Sequence, residues 1–139
     1  MSNLNLITVS ISVNATIEKV WEYFTNPAHI TKWYFASKDW CCPNAENNLH
    51  VGGKFITRME SKDGAIGFDF EGIYSTIVLH KNIEYYLADG RTVSTLFKDE
   101  NNEISVSQIF VPENENSLEM QQGGWQAILN NFKKYLENN

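Results

Sequence analysis

The sequence predicts an α+β fold in which a curved antiparallel sheet wraps around a long C-terminal helix. Residues 52–111 alternate apolar and polar side chains and are divided by turn signals, which is typical of strands joined by hairpins. Residues 116–136 repeat apolar side chains at helical spacing, namely Trp125, Ile128, Leu129, Phe132, Tyr135 and Leu136. A helix roughly 30 Å long with one apolar face must pack on an apolar surface, and the sheet is the candidate upstream.

The length and composition are those of one globular domain spanning residues 1–139. Its 17 acidic and 11 basic residues give a net charge of −6, which argues against a nucleic-acid or anionic-membrane partner. The aromatic content of 13% fits either a dense core or a lined cavity. The N-terminus lacks a signal-peptide pattern, and no apolar stretch is long enough to span a bilayer. We therefore expect a cytoplasmic protein without membrane insertion.

The first half of the chain predicts one strand followed by two short helices. Residues 4–13 predict a strand whose β-branched side chains face the core. Residues 16–24 predict a helix with Thr16 as N-cap, and residues 27–35 predict a second helix that begins at Pro27. Residues 39–42 are a possible short strand. The polar residues 43–48 predict a loop, a candidate mobile rim.

The second half predicts a series of strands and then the final helix. Strands are expected at residues 54–60, 66–78, 83–88, 91–98 and 103–111, which gives a sheet of about six or seven strands. The turns between them carry Gly, Asn and Asp, of which Asp89-Gly90 is the strongest hairpin signal. Asn116, with Glu119 three residues later, predicts a capping box at the start of the last helix.

The order of elements and a set of short motifs resemble a known family. The motifs are Val20-Trp21, Pro27 with Trp33, residues 51–55 (VGGKF), Asp63-Gly64, residues 71–74 (EGIY), Asp89-Gly90-Arg91 and Gly124-Trp125. Together they resemble the helix-grip fold of START-like (SRPBCC) proteins, in the branch of the activator of the heat-shock-protein ATPase. The resemblance implies a cavity between sheet and helix, which in related proteins binds lipids, sterols, hormones or polyketides. The namesake co-chaperone has two domains, and this chain resembles its C-terminal one.

Aromatic residues on the faces that should point between sheet and helix are the candidate cavity lining. The candidates are Trp33, Trp40, Phe55, Met59, Phe68, Phe70, Tyr74, Tyr86, Phe97, Gly124 and Trp125. The alternative is that these residues only fill the core. The pair Gly123-Gly124 weakens the helix, and it either leaves room for a ligand or a kink, or lets the helix backbone pack closely on the sheet.

The residue types that carry catalysis or bind metals form no standard motif. His29, His50 and His80 lie in three separate segments, and surface positions are expected for them. The adjacent Cys41 and Cys42 are poorly placed for a disulfide, and with His50 they match no standard zinc spacing. We therefore predict no metal, no cofactor and no catalytic set.

The leading functional hypothesis is a non-enzymatic protein that encloses a small apolar or aromatic molecule. The polar tips of Tyr74, Tyr86 and Trp125 would orient that molecule, and the half of the last helix that carries the glycines is the expected site. One alternative is a co-chaperone-like activator that binds a heat-shock chaperone. Others are a cyclase- or hydrolase-type enzyme using the same cavity, and a stress-related role of unknown mechanism.

Overall fold

The computed structural model describes residues 6–139, which contain seven strands and three helices in the order that the sequence predicts. In chain order they are β1 (Ile7–Val13), α1 (Ile17–Thr25), α2 (Pro27–Trp33), β2 (Trp40–Asn47), β3 (Lys54–Ser61), β4 (Gly67–Val78), β5 (Asn82–Leu87), β6 (Thr92–Glu100), β7 (Glu103–Phe110) and α3 (Leu118–Glu137). The strands form one antiparallel sheet in the order β1-β7-β6-β5-β4-β3-β2. The predicted α+β fold, a curved sheet with a long C-terminal helix, is confirmed.

The first strand buries the face that its alternation predicts. Ile7, Val9, Ile11 and Val13 are buried, and the residues between them are exposed. Antiparallel pairing of β1 with β7 sets Ile7 opposite Phe110, so the first and last strands lie side by side in the sheet. Residues 4 and 5, where the predicted strand begins, lie outside the described residues.

Two side-chain caps fix the short helices after β1. The Thr16 hydroxyl accepts the Lys19 N–H at 3.2 Å, which makes Thr16 the predicted N-cap of α1. The Asn26 side chain accepts the Ala28 N–H at 2.9 Å, with Pro27 at the first helical position of α2. The helices therefore begin where their caps indicate, and α2 ends at Trp33 rather than at residue 35.

The segment predicted as a loop, residues 43–48, is largely an edge strand. Strand β2 pairs antiparallel with β3, and the register shifts between Cys41 and Asn44, on either side of Pro43. Proline has no N–H to donate, so it is tolerated at a bulge of an edge strand. The prediction of a mobile rim is wrong here because residues 44–47 pair with β3 and Asn47 also donates to the Thr25 carbonyl at 2.7 Å.

The N-cap of the C-terminal helix lies one residue after the predicted one. Ser117 is the N-cap, and its hydroxyl accepts the Met120 N–H at 3.0 Å. Asn116 instead donates its side-chain N–H to Glu113 at 2.9 Å, so the predicted capping box is wrong. Asn and Ser are comparable caps, and local sequence does not separate them. The face that the sequence assigns to the core carries three residues with no exposed surface, Leu129, Phe132 and Leu136.

Glutamine side chains of α3 cover the open edge of β1. Gln126 accepts the Ser10 N–H at 3.3 Å and donates to the Ser10 carbonyl at 2.9 Å, as a neighbouring strand would. Gln122 donates to the Thr8 carbonyl at 3.4 Å. These bonds satisfy edge groups that would otherwise be open to pairing, and they fix the position of the helix along the sheet.

Gly72 of β4 lets the Phe55 ring of β3 pack directly against the strand backbone. It pairs with Phe55, and a Cβ at position 72 would lie 2.8 Å from the Phe55 ring and 2.9 Å from the Tyr86 carbonyl oxygen. A side chain is therefore excluded at this position, and the Phe55 ring occupies its place on the inner face.

Candidate functional site

A cleft of about 320 Å³ lies between the first half of α3 and the inner face of the sheet. Gly124 and Ile128 contribute from the helix. The other apolar parts of the lining are Met59, Phe68, Phe70, Leu87, Met120 and Trp125. An apolar cleft with a few polar groups at its rim is the usual form of a small-molecule site. A wider surface hollow of about 500 Å³ beside α1 is lined mainly by polar residues such as Asn14, Glu18 and Asp99.

The two glycines of α3 leave empty space rather than a close contact. A Cβ built on Gly123 or Gly124 would meet no atom within 4 Å, and α3 runs unbroken from Leu118 to Glu137. The interpretation that these glycines let the helix backbone pack on the sheet is therefore wrong. Gly124 lines the cleft, whereas Gly123 is exposed and does not line it. Each glycine costs the helix about 1 kcal/mol relative to alanine.

Trp125 forms a fixed wall of the cleft. Its ring stacks on Phe110 of β7 at 3.9 Å between centroids, with an angle of 17° between the planes. Its edge meets Phe70 of β4 at 6.0 Å in a T-shaped arrangement. Such aromatic pairs contribute about 0.5–1.5 kcal/mol each beyond the area they bury, so the ring is held in place in the empty site.

Three charged groups stand at or beside the rim of the cleft. Arg91 lines the cleft and donates its Nε–H to Asp89 at 2.7 Å, which forms an ion pair. Glu113 accepts N–H groups of Asn116 and Glu115, and these bonds, with the nearby guanidinium of Arg91, hold the pKa of Glu113 below its usual range. One guanidinium against two carboxylates leaves this rim with a local charge of −1.

Gln121 holds the loop between β7 and α3, which forms the rim of the cleft, through three hydrogen bonds. Its Oε1 accepts the Glu113 N–H at 2.9 Å, and its Nε2 donates to the carbonyls of Glu113 and Asn116 at 3.1 and 2.9 Å. The side chain is buried, and both donor hydrogens and the oxygen are engaged. This end of the cleft is therefore shaped by hydrogen bonds as well as by apolar packing.

A second, smaller cavity of about 50 Å³ lies deeper, between the sheet and helices α1 and α2. Its lining includes Tyr34, Tyr74, Tyr85, Thr95 and Gln108. Tyr34 lines both this inner cavity and the cleft, so its side chain stands between them. The ring of Tyr34 stacks near Phe70, with centroids 6.1 Å apart and planes at 27°.

The inner cavity gathers neutral hydroxyl and amide groups. Tyr74 donates to Asn47 Oδ1 at 2.6 Å, and Gln108 donates to the Thr95 hydroxyl at 3.2 Å. Within residues 6–139, the hydroxyls of Tyr34 and Tyr85 form no hydrogen bond. Burial raises the pKa of all three tyrosines above the usual range, so their hydroxyls stay protonated.

The predicted lining residues divide into four groups. The cleft contains Met59, Phe68, Phe70, Gly124 and Trp125. The inner cavity contains Trp33, Phe55 and Tyr74. Phe97 and Trp40 line neither space: Phe97 packs in the core against Trp21 and Phe24, and Trp40 contacts the outer end of Phe68 at 6.1 Å. Tyr86 points away from both.

The assignment of Tyr86 to the cavity is wrong because the neighbouring tyrosine faces inward. Tyr86 is 42% exposed on the outer face, and Tyr85 is 7% exposed on the inner face. The alternation Ile83, Tyr85, Leu87 contains this information, since all three are buried. The predicted lining did not include Tyr34, which lies within the predicted second helix and is the C-cap of α2 in the structure.

Residue types that carry nucleophilic or metal chemistry are dispersed. In the part of the chain that the structure describes, no three His, Cys, Asp or Glu side chains lie close enough to hold a metal ion. Cys41 and Cys42 are both free thiols, and burial raises the pKa of Cys42 to about 11. His29 contacts the Tyr135 hydroxyl at 2.8 Å and stacks on Tyr23, a packing contact that joins the three helices.

The sheet, the helix lying across it and the cleft between them define a helix-grip protein of the START-like (SRPBCC) superfamily. Comparison with known proteins identifies the family within it. Residues 14–137 match the family of Activator of Hsp90 ATPase homolog 1-like proteins, and the chain belongs to that family. Among curated protein sequences, none matches the chain significantly.

Solved structures support the same assignment. A protein of Cytophaga hutchinsonii is 49% identical, with a TM-score of 0.84 over 97% of this chain and 94% of that one. An AHSA1-like protein of Aeromonas hydrophila is 36% identical, with a TM-score of 0.87 over 95% and 93% of the two chains. The Aha1 dimer from Colwellia psychrerythraea, 17% identical, shares the fold with a TM-score of 0.74 over 95% and 96%.

Within residues 6–139, none of the three helices is long and apolar enough to cross a bilayer.

Proposed function

We propose that this protein binds a small apolar or aromatic molecule in the cleft between α3 and the sheet. The observation that carries the proposal is the space in front of Gly124, which faces the aromatic wall formed by Trp125 and Phe70. The helix gives up stability at this position without gaining a packing contact, as expected where a ligand fills the space. The volume of about 320 Å³ is at the lower end for small-molecule sites.

The composition of the cleft favours binding over acid–base catalysis. Its charged groups, Arg91 and Glu113, are engaged in the rim bonds described above. Burial of roughly 200 Å² of ligand carbon surface would contribute about 5 kcal/mol before the cost of association is subtracted. A two-ring aromatic molecule is therefore expected to bind with a dissociation constant of about a millimolar, since 1 mM corresponds to about 4 kcal/mol.

The adjacent glycines provide a matched test. Gly124→Leu places a side chain in the cleft, whereas Gly123→Leu places the same side chain on the exposed face of the same turn. Naphthalene is titrated into both variants and the unsubstituted protein, and binding is followed through the indole N–H signal of Trp125 by NMR. Gly124→Leu is expected to weaken binding at least tenfold, and Gly123→Leu to leave it unchanged. Absence of naphthalene binding, or equal binding by the two variants, would refute the proposal.

A second candidate is activation of a heat-shock ATPase, which the family match supports. Three exposed apolar side chains at the cleft end of the molecule, Phe68, Leu118 and Met120, are 46%, 43% and 64% exposed and suit contact with a protein surface. The test is the ATPase rate of the cognate chaperone with and without this protein, and with Met120→Glu. A rate increase that Met120→Glu removes would support this function, and an unchanged rate would exclude it.

A further inference from the structure

The inner cavity lies beside the cleft, and the rings of Tyr34 and Phe70 stand at the boundary between them. Tyr34 borders both spaces. It is the C-cap of α2, and its backbone lies outside regular helical geometry (φ −82°, ψ 70°). Because the side chain projects from a helix end and packs beside Phe70, its ring is able to move without unwinding a helical turn. Displacement of this ring would join the cleft and the inner cavity into one site.

The inner cavity presents a hydrogen-bonding group with no partner. Tyr85 is 7% exposed, lines the cavity, and its hydroxyl bonds to no residue among those described. The Tyr85 hydroxyl is not sealed in the core, because Asn82 Oδ1 is the one fully buried side-chain polar atom without a partner among the described residues. The neighbouring Tyr74 hydroxyl, in contrast, is engaged by Asn47 at 2.6 Å. The Tyr85 hydroxyl is therefore free to bond to a group that enters the cavity.

The charges around the two spaces indicate that this partner is neutral. Glu46 is the one charged side chain of the inner cavity lining, and it is itself exposed to solvent. The groups facing the cavity interior are hydroxyls and amides, from Tyr74, Thr95 and Gln108 among others. A carboxylate or an ammonium brought there would lose its hydration without meeting an opposite charge. The net negative rim of the cleft opposes anions further.

We propose that the natural ligand has an apolar body in the cleft and a neutral hydrogen-bonding end group that passes Tyr34 and bonds to the Tyr85 hydroxyl. A hydroxyl or carbonyl group meets this requirement, because a phenol both donates and accepts. The inference rests on the proposed function, since the ligand body occupies the same cleft. It adds the chemical class of the ligand and its direction of entry.

Three probes of one size distinguish the end groups. Naphthalene, 2-naphthol and 2-naphthoate share a two-ring body and carry no polar group, a neutral hydroxyl and a carboxylate at pH 7. We expect 2-naphthol to bind about three- to tenfold more tightly than naphthalene, the usual contribution of one hydrogen bond. We expect 2-naphthoate to bind most weakly of the three.

Neighbouring tyrosines of β5 supply the variant and its control. Tyr85→Phe removes the inward hydroxyl, and Tyr86→Phe removes an exposed one from the next residue. Tyr85→Phe is expected to abolish the advantage of 2-naphthol over naphthalene, and Tyr86→Phe to preserve it. If 2-naphthol has no advantage, or keeps it in Tyr85→Phe, the end-group inference is wrong, while naphthalene binding that Gly124→Leu blocks still supports the cleft. If none of the probes binds, both proposals fail.

The role of Tyr34 is tested through rates rather than affinities. Tyr34→Leu keeps an apolar contact but removes the ring that stands between the two spaces. It is expected to accelerate association of 2-naphthol at least threefold, measured by NMR line shapes. Tyr34→Phe, which keeps the ring, should associate at the original rate. Equal association rates in all three proteins would show that the ring is not the partition.

Discussion

Substitution of Asn47 by alanine tests the polar connection that holds the inner cavity together. Asn47 Oδ1 accepts the Tyr74 hydroxyl at 2.6 Å, and Asn47 Nδ2 donates to the Thr25 carbonyl at 2.7 Å. One side chain thereby joins strands β2 and β4 to the C-terminal end of α1. Asn47→Ala removes both bonds and leaves the buried Tyr74 hydroxyl without a partner.

The expected loss can be worked out from these two bonds. Each hydrogen bond contributes about 1 kcal/mol net, and an unpaired buried hydroxyl adds a penalty of about 1 kcal/mol or more. The Thr25 carbonyl lies at a helix end, where water can reach it once the side chain is gone, so we discount its penalty. The sum is a loss of about 2–3 kcal/mol, a substantial part of the stability of a typical domain.

Urea unfolding followed by tryptophan fluorescence measures this loss. Tyr74→Phe removes only the first bond, so we expect it to cost about 1 kcal/mol, and Tyr86→Phe on the outer face should lie within about 0.5 kcal/mol of the original protein. The double variant should show coupling of about 1 kcal/mol between positions 47 and 74. The reasoning is refuted if Asn47→Ala loses less than about 0.5 kcal/mol, or if Tyr74→Phe costs as much as Asn47→Ala.

Three further predictions concern packing, ionisation and the helix. Gly72→Ala should destabilise the fold by about 1–3 kcal/mol in urea unfolding, because its methyl group would press on the Phe55 ring; an unchanged midpoint would contradict this. Burial raises the pKa of Cys42 from 9.0 to about 11, so the stability it contributes is complete below about pH 9 and is lost as the pH rises towards 11. Urea unfolding at pH 8, 9.5 and 11 should show this decline, and Cys42→Ala should reduce it. Gly123→Ala should raise the melting temperature, because alanine is favoured by about 1 kcal/mol at an open helical position; a lower melting temperature would contradict the geometry of this turn.

Elements with strong local signals were predicted closely from the sequence. The hairpin at Asp89-Gly90 is present, with Gly90 at φ 88°, a conformation that glycine adopts without strain. The cap at Thr16 and the inward face of β1 also depend on residues close to one another in the chain. Such features follow from the steric preferences of the backbone and from the periodicity of apolar residues, and neither depends on contacts with distant segments.

Features that composition alone does not distinguish were predicted less well. Pro43 and its polar neighbours have the composition of a loop, yet β3 supplies a partner that makes the segment a strand. Tyr85 and Tyr86 are the same residue type, so composition does not distinguish them, and only the alternation with Ile83 and Leu87 does. The cap at Ser117 rather than Asn116 depends on Glu113, which binds the asparagine side chain.

The sequence by itself determined the class of the molecule: the order of its elements, the apolar face of its last helix and the resemblance to a helix-grip family. Only the tertiary structure decided that the space at Gly124 is empty, that Tyr34 separates two cavities and that the Tyr85 hydroxyl lacks a partner. The physical reason is that the direction of a side chain follows from the local periodicity of the sequence, whereas a cavity is a volume that side chains from several segments leave unfilled. That volume depends on strand register and sheet curvature together, and no single stretch of residues specifies it.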